Sequence, residues 1–524
     1  MQPRGIGIVL VVFGLLVGVS VLWNWPFKVA VVGGGPAVLV YFILLLVVGV
    51  PVVLIELALG SRSGSGFPKS LGAINPRLEF FGWFAAVNAF WLVVWLCSIL
   101  SWSACFAYYS LTGFYPFSNW PYPLSGSFNF VNYFFNYGSS LLPLAGLIIV
   151  WGSVFLLLLK TSWGSKIRAL AIRVVFPALA VVLFAIFVLA VALPGGLNPG
   201  LNFYLGFTPS VLLGGSSWRT MTTLLLFNLG AGLGVLGFYA GRIPETRSRL
   251  VSSSILAPLL GIGLIFLGGL AFFTMSGASG LVDSLGSSLF PVGPLGFPAA
   301  PFIGWSAGFA VIERSMGPLA GKGLAFLFYT LIAAAGIVGL TLMVEPITET
   351  LKTKFRLGER KFLVAFIALG FLTSVPFTLT SSFPLGFYLT SLANWWVEGF
   401  GLTLVVLVEL VAAGWIWGAD NIVGYVNSGS RIKLPKWFGW IIKFVAPGAL
   451  ILVLVVGVYD TLSGYVLYSW GFLYSLALSW LMSGWFTNLN NVFLLLLLVW
   501  LVSNLTVALV LMRKKPAEES EENA

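Results

Sequence analysis

The residues that could do chemistry in this sequence are few. The chain has no histidine, which removes the commonest general base and the usual zinc ligand. The two cysteines, Cys97 and Cys105, lie in one apolar run, and a helix would place them about 12 Å apart, too far for a disulfide. No nucleophile, base and orienting group converge in the sequence. The sequence therefore does not predict an enzyme. The residues left to consider are the charged ones.

Three charged residues, Lys28, Arg219 and Glu398, lie inside or beside long apolar segments. A charge inside a bilayer is costly and usually paired, so these residues are predicted to form an ionic contact. Arg219 lies two helical turns from Phe227 on the same helix face. The alternative is that Lys28 and Arg219 reach the lipid headgroups while Glu398 contacts water. The sequence leaves both possibilities open.

The composition places these charges in a membrane. The chain is 59% hydrophobic and 8% charged, with a mean hydropathy of +1.02, which is too little charge for the surface of a water-soluble protein. About 20 apolar residues span a bilayer, so we expect an all-α polytopic membrane protein with about twelve transmembrane helices. The predicted segments are residues 5–27, 37–60, 79–112, 141–160, 168–193, 218–240, 250–274, 321–351, 361–380, 386–418, 438–458 and 490–512.

The basic residues predict the orientation of these segments. With a cytoplasmic N terminus, all of the 27 lysines and arginines lie on cytoplasmic segments or helix ends except Lys28, Arg219, Arg314 and Lys322. This bias predicts a multi-pass protein of the plasma membrane with both termini in the cytoplasm. Residues 513–524 are predicted to form a disordered acidic tail after a single transmembrane domain, 1–512. The net charge of +11 follows from topology and does not indicate a nucleic-acid partner.

Two predicted spans carry residues that interrupt helices. The first holds Gly14, Gly18 and Pro26, and the sixth, 218–240, holds Asn228 and a run of glycines that includes Gly230. Unwound backbone in a membrane is tolerated where it lines a cavity. Interruptions in spans one and six predict two five-helix repeats of inverted topology, about 5–193 and 218–418, with extra helices at 438–512 and a binding site near the midplane. The alternative is close helix packing through small residues.

Several motifs, taken in order, resemble one family. They are WNWPFKVAVVGGGP in the first span, GVPVVLIELALGSRSG around Glu56, SKIRALAIRVVFPAL, the glycine-rich sixth span, MVEPITETL, VELVAAGWIWGAD around Glu409, and SGSRIKLPKWFGWIIKFVAPG. Together they resemble the neurotransmitter:sodium symporter family, which includes the bacterial leucine transporters, over about residues 5–512. The resemblance implies the leucine transporter-type 5+5 inverted repeat with broken helices 1 and 6. It places the break of helix 1 at about Val17 to Val21.

The resemblance also implies where sodium would bind, and there the side chains differ. The first site would use Val21, Asn228 and Leu260, of which only Asn228 offers a side-chain oxygen. The second would use backbone carbonyls of Gly14, Val17 and Ala335, with Val338 and Gly339 where the family has hydroxyls. Sodium requires about five or six oxygen ligands. We therefore expect a carrier that sodium does not drive, with no cofactor and with proton coupling through Glu398, exchange or uniport as the alternatives.

The resemblance finally implies the solute site and the outer gate. The site would be lined by Val19, Ser20, Leu92, Leu96, Phe227, Asn228, Gly230 and Leu233, which suits an amino acid or a more apolar solute. Asn24 and Asn394 replace the family's charged outer gate, and Lys28, Arg219 and Glu398 are predicted to form a displaced gate nearby. The expected function is secondary transport of a small organic solute by alternating access. The alternative is a non-transporting receptor or scaffold that keeps the fold.

Overall fold

The computed structural model describes residues 7–15, 17–64, 66–112, 140–159, 162–282, 296–355, 358–379, 389–390, 393–462 and 489–514. Within these ranges the chain forms helices and connecting turns and contains no strand, as an all-α fold requires. Most of the predicted acidic tail, from residue 515 onward, and the first six residues lie outside the described ranges.

The main helices are labelled in chain order. They are α1 (Gly7–Gly14), α2 (Val17–Val19, then the π-helical turn Ser20–Asn24, then Trp25–Val32), α3 (Gly35–Ser63), α4 (Phe67–Gly72), α5 (Glu79–Thr112), α6 (Leu142–Leu158), α7 (Ser162–Val191), α8 (Gly215–Leu229), α9 (Val235–Arg242), α10 (Leu250–Ala278), α11 (Gly296–Met316), α12 (Pro318–Phe355), α13 (Glu359–Thr378), α14 (Ala393–Gly429), α15 (Phe438–Trp440, Ile441–Val445 and Ala446–Leu462) and α16 (Leu489–Arg513).

Eight helices in the described part of the chain are long and apolar enough to cross a membrane, and two shorter apolar helices accompany them. They coincide with ten of the predicted segments, because about 20 predominantly apolar residues favour one continuous helix in a membrane. The other two predicted segments are the interrupted pairs α1/α2 and α8/α9. Helix α11 was not predicted, since Gly, Pro and charged residues at its ends make it less apolar than a span.

Small residues bring the helices of the core together. Helices α5 and α12 pack along each other, and an added Cβ at Gly336 of α12 would collide with Leu100 of α5. An added Cβ at Gly60 of α3 would likewise collide with the backbone of Gly237 in α9. Packing through small residues holds helices together in lipid, where the hydrophobic effect between them is weak. Part of the glycine content therefore serves packing, as the alternative interpretation of the sequence proposed.

The first interrupted helix breaks earlier than predicted. Helix α1 ends at Gly14 and α2 begins at Val17, so the break precedes the predicted range Val17 to Val21, which is helical. Gly18 lies in α2 as a packing residue: an added Cβ would come within 2.9 Å of the Ala335 Cβ. The residues after it form the π turn Ser20–Asn24, in which the Trp25 N–H bonds to the Ser20 carbonyl five residues back.

The second interruption lies where the glycines predicted it. Helix α8 ends at Leu229 and α9 begins at Val235. Between them Gly230, Gly232 and Gly234 have φ of 62°, 73° and 69°, in the left-handed region that glycine adopts at least cost. The Gly232 N–H donates to Oε1 of Glu56 at 2.7 Å. A carboxylate of α3 thus satisfies a backbone group that the break leaves without a helical partner.

Candidate functional site

The two interrupted helices meet through side chains of Ser20 and Asn228. The Ser20 hydroxyl donates to Oδ1 of Asn228, and the Asn228 amide donates to the Tyr41 hydroxyl at 3.0 Å. All three residues are buried, with Ser20 and Tyr41 at most 1% exposed. A chain of hydrogen bonds therefore connects α2, α8 and α3 at the centre of the protein. Ser20 and Asn228 belong to the predicted solute site.

The other predicted solute-site residues are buried and apolar. They are Val19, Leu92, Leu96, Phe227, Gly230 and Leu233. Phe227 belongs to a series of edge-to-face aromatic contacts: the Trp23 and Trp95 centroids are 5.1 Å apart, and those of Trp95 and Phe227 are 6.2 Å apart. Nε1 of Trp95 is buried and has no hydrogen-bond partner among the described residues. The surroundings of Ser20 are thus apolar with a small number of polar groups.

A buried ionic cluster lies next to this region. The Lys28 ammonium of α2 forms an ion pair with Glu398 of α14, and Asn394 donates a hydrogen bond to the same carboxylate. Asn24 Nδ2 lies 3.2 and 3.3 Å from the two Glu398 oxygens. Thr223 of α8 accepts from Lys28 at 3.4 Å. Four of the five predicted gate residues therefore come together, and Glu398 is fully buried.

Arg219, the fifth predicted gate residue, has a different partner. Its Nε donates to Oδ2 of Asp460 in α15 at 3.0 Å, and its guanidinium lies 4.0 Å from the centre of the Trp395 ring. Of the two cations predicted as partners of Glu398, Lys28 makes the ion pair, while Arg219 bonds to Asp460. Asp460 lies 241 positions away in the chain, so a reading of single helix faces does not detect this partner.

The three positions that the resemblance assigned to a first sodium site have different surroundings. Val21 is fully buried, and an added Cβ at Gly268 of α10 would lie 2.8 Å from its Cγ1. Leu260 was predicted to lie beside Val21, and this is wrong. It is 48% exposed, in a stripe with Ile255, Leu256 and Leu259 along the outer face of α10. Asn228 is the one predicted ligand here with a side-chain oxygen, and that oxygen accepts from Ser20.

The positions corresponding to the second site pack directly against the first break. An added Cβ at Gly339 of α12 would collide with the carbonyl oxygen of Leu15 and lie 3.2 Å from that of Gly14. Val338 and Ala335 are buried on the same helix, and Val17 is the first residue of α2. A hydroxyl side chain, which the resemblance implied at position 339, therefore has no room in this packing. Within the described residues no group of three or more acidic, Cys or His side chains could hold a metal ion.

Asn88 and Trp305 contribute contacts that the sequence did not indicate. Asn88 of α5 donates to the Val397 carbonyl at 3.1 Å, beside Glu398, and accepts from Trp500 of α16 at 3.1 Å. Trp305 of α11 donates to the Leu22 carbonyl at 2.9 Å. Asn88 and Trp305 each donate to a backbone carbonyl, so the residue type at the accepting position carries no sequence signal. Tyr41 was missed as well, because one tyrosine in an apolar span is common.

Comparisons with known proteins agree with this architecture. The model of the Sodium:neurotransmitter symporter family matches residues 4–122 and 129–503. An uncharacterized sodium-dependent transporter of Methanocaldococcus jannaschii is 28% identical over 476 residues, 88% of this chain and 91% of its own. The sodium-dependent serotonin transporter of Drosophila melanogaster is 23% identical over 479 residues, 85% of this chain and 74% of its own. The crystal structure of MhsT in complex with L-phenylalanine has a TM-score of 0.72 at 20% identity, covering 87% of this chain and 99% of that one.

Proposed function

Because the chain belongs to the sodium:neurotransmitter symporter family, whose members are transporters and not enzymes, we propose that it moves a small organic solute by alternating access. The meeting of the two interrupted helices at Ser20 and Asn228 carries this proposal. Broken helices at membrane depth are costly unless the freed backbone groups serve a ligand. The proposal includes twelve spans in a 5+5 inverted repeat, in the plasma membrane, with both termini in the cytoplasm.

The solute that fits best is a neutral amino acid with an apolar side chain. Leu92, Leu96 and Phe227 supply an apolar wall, while the amides around Val19 and Ser20 suit a carboxylate. Trp95 Nε1 and Asn24 Oδ1 are a buried donor and a buried acceptor without partners in the described part of the chain, and an amino acid offers a group for each. MhsT, of the same fold, has been crystallised with L-phenylalanine. This likeness supports the solute class.

The outer gate of the transporter is the ion pair of Lys28 with Glu398. The family's gate positions hold Asn24 and Asn394, and both amides donate to Glu398. A carboxylate that accepts from an ammonium and two amides has its lone pairs satisfied, which makes burial of the pair tolerable. Separating α2 from α14 breaks the bonds from Lys28 and Asn24 at once, while Asn394 stays with Glu398 on the same helix. The pair therefore acts as a latch between two helices that part when the outer path opens.

Sodium does not drive this transporter. Two observations support this: Val21, where the resemblance implies a side-chain oxygen, packs on Gly268, and Gly339, where it implies a hydroxyl, packs on the Leu15 carbonyl. An ion shifts a conformational equilibrium only by its differential affinity for the two states. The proton gradient then remains as the driving force, with Glu398 as the residue that carries the proton. The alternatives, exchange and uniport, need no coupling ion.

Uptake into proteoliposomes tests this function. A panel of labelled amino acids is offered with sodium, potassium or choline outside and with the pH difference clamped, against protein-free vesicles as control. We expect uptake of an apolar amino acid that is equal in the three salts. A severalfold stimulation that is specific to sodium and saturates would refute the coupling. Ligand binding, seen as a rise in thermal stability, without uptake of any bound ligand would indicate a receptor instead.

A further inference from the structure

A lysine lies among aromatic rings where α14 and α15 pack together. The lysine is Lys443, in the second turn of α15, which begins at Phe438. Gly414 of α14 allows the close approach, because an added Cβ there would lie 3.2 Å from the Lys443 Cα. The indole N–H of Trp415 donates to the Lys443 carbonyl at 2.8 Å. This bond fixes the Trp415 ring beside the lysine side chain.

The Lys443 ammonium contacts rings but no carboxylate. Its nitrogen lies 4.8 Å from the centre of the Trp415 ring and 5.5 Å from that of Phe444, within the range of cation–π attraction. The Trp440 and Phe444 centroids are 5.0 Å apart. These four residues form one cluster, the Lys443 site. In the described part of the chain no acidic side chain pairs with the ammonium, so its three N–H donors are open to an acceptor from outside the chain.

The rings of this site face away from the protein. Trp415 is 54% exposed and Trp440 is 67% exposed, although both lie on helices long and apolar enough to cross a membrane. Tryptophan gathers where the hydrocarbon of a bilayer meets the headgroups. Further along α15 the exposed side chains are aliphatic, as Ile451 and Leu452 are, which suits contact with hydrocarbon. Lys443 therefore lies at the depth of the lipid phosphates.

The chain that leads to Lys443 is basic. Residues 431–443 read RIKLPKWFGWIIK, with four basic residues and no acidic one, and Arg431, Lys433 and Lys436 are exposed. Clusters of four or more such residues at a membrane surface attract anionic lipids. A choline headgroup fits less well, because the Lys443 ammonium already lies against the Trp415 ring that would attract the choline cation. The charges therefore favour a lipid with net negative charge.

We propose that the Lys443 site binds the phosphate of an anionic phospholipid. The phosphate accepts hydrogen bonds from the ammonium, the exposed indoles lie against the glycerol region, and the acyl chains follow the aliphatic surface of α15. The inference depends on a membrane location and not on transport, and the proposed topology assigns the lipid to the cytoplasmic leaflet. Because the site includes Trp415 of α14 and Lys443 of α15, the bound lipid joins the helix that carries Glu398 to its neighbour.

Native mass spectrometry of the purified full-length protein measures the bound lipid. Delipidated protein in detergent is titrated with phosphatidylglycerol or with phosphatidylcholine that has the same acyl chains. We expect phosphatidylglycerol to be retained in preference to phosphatidylcholine. Glycerol 3-phosphate, which offers the phosphate without acyl chains, should not displace the bound lipid, because it makes no contact with the aliphatic surface of α15.

Lys443→Gln removes the cation from the site. We expect the affinity for phosphatidylglycerol to fall about fivefold and that for phosphatidylcholine to change less than about twofold, the effect of one basic residue near a membrane surface. Lys443→Arg keeps the charge and should keep the preference. Lys361→Gln is the matched control, because it removes an exposed lysine of α13 outside the site, and it should change neither affinity. Thermal unfolding without added lipid checks that each variant is folded.

A photoreactive phosphatidylglycerol locates the bound lipid. With the reactive group near the glycerol, it should label peptides that contain Trp415 or Lys443. Equal retention of the two lipids, displacement by glycerol 3-phosphate, undiminished binding in Lys443→Gln, the same loss in Lys361→Gln, or labelling only at other peptides would each overturn the inference. Uptake is measured separately. Lipid preference without transport of any solute refutes the proposed function alone, and transport without lipid preference refutes this inference alone.

Discussion

Gly339 of α12 packs so closely on Leu15 that an added Cβ would overlap the Leu15 carbonyl oxygen. This contact brings α12 directly onto the break between α1 and α2. The resemblance implies a sodium-binding hydroxyl at this position, and here both the side chain and the space for it are missing. A serine restored at this position would have to push the two helices apart.

We predict that Gly339→Ser destabilises the protein by about 1–3 kcal/mol, the usual cost of forcing extra atoms into a packed core. Thermal unfolding in detergent measures the change. Gly323→Ser on the same helix is the control, since an added Cβ there meets no described atom within 4 Å. Sodium-stimulated uptake by Gly339→Ser, with undiminished stability, would show that the packing is not an obstacle to the ion.

Glu398→Gln should weaken closure of the outer gate. The substitution leaves the Lys28 ammonium buried without a counter-charge, and breaking a buried pair costs about 3–5 kcal/mol. A thiol introduced as Ser20→Cys reports opening through its reaction with a membrane-impermeant reagent, and its labelling should accelerate about tenfold if a large part of this cost falls on the closed state. Equal labelling in parent and variant would count against the gate.

The control for this variant is Glu313→Gln. Glu313 pairs with Lys322 at 3.5 Å, and the lysine side chain is 32% exposed, so that pair is worth little. Labelling of the Ser20→Cys thiol should not change. A double variant, Glu398→Gln with Lys28→Gln, should recover part of the stability lost, because no unpaired charge remains.

Arg219→Gln should loosen α15 and leave the gate intact. The variant breaks the bond to Asp460 and the contact with Trp395, and it should cost about 3 kcal/mol of unfolding free energy, as should Asp460→Asn. The double variant should cost less than the sum, because both remove one interaction. If Arg219→Gln accelerates labelling as much as Glu398→Gln does, Arg219 belongs to the gate after all.

Tyr41→Phe should weaken solute binding without changing the fold. It removes the hydroxyl that accepts from Asn228 and leaves a buried amide N–H without that partner, at a cost of about 1–3 kcal/mol. We expect about tenfold weaker binding of the best solute, measured by ligand-dependent thermal shift. Tyr459→Phe, at a residue that is 69% exposed, serves as control. Unchanged affinity would remove Tyr41 from the site.

The sequence predicted the helices and the second interruption because both depend on local chemistry. Long apolar runs form helices in lipid, and the closely spaced glycines after Asn228 can take left-handed backbone at low cost. The first interruption was placed wrongly because Gly18 has the same composition signal as a breaker. Gly18 instead contacts Ala335. Whether a glycine packs against a neighbour or interrupts its own helix depends on the helix beside it.

The candidate site was predictable only where local chemistry decides. Lys28 and Glu398 were both suspected because an intramembrane charge requires a partner. The choice between Glu398 and Asp460 as the partner of Arg219 depends on how α15 packs, and no local pattern encodes that. Leu260 was misassigned because no motif of the resemblance anchors the register of α10, whose sequence is apolar on several faces. Trp305 donates to a backbone carbonyl, and such an acceptor is invisible in a sequence.

Trp500 donates to Asn88, and Asn88 in turn donates to the carbonyl beside Glu398. Helix α16, which the proposed 5+5 repeat leaves outside, is thus connected to the ionic cluster by two consecutive hydrogen bonds. Asp460 connects α15 to α8 in the same manner. A shortened carrier engineered without α15 and α16 would lose both supports. We therefore expect these two C-terminal helices to belong to the minimal working unit.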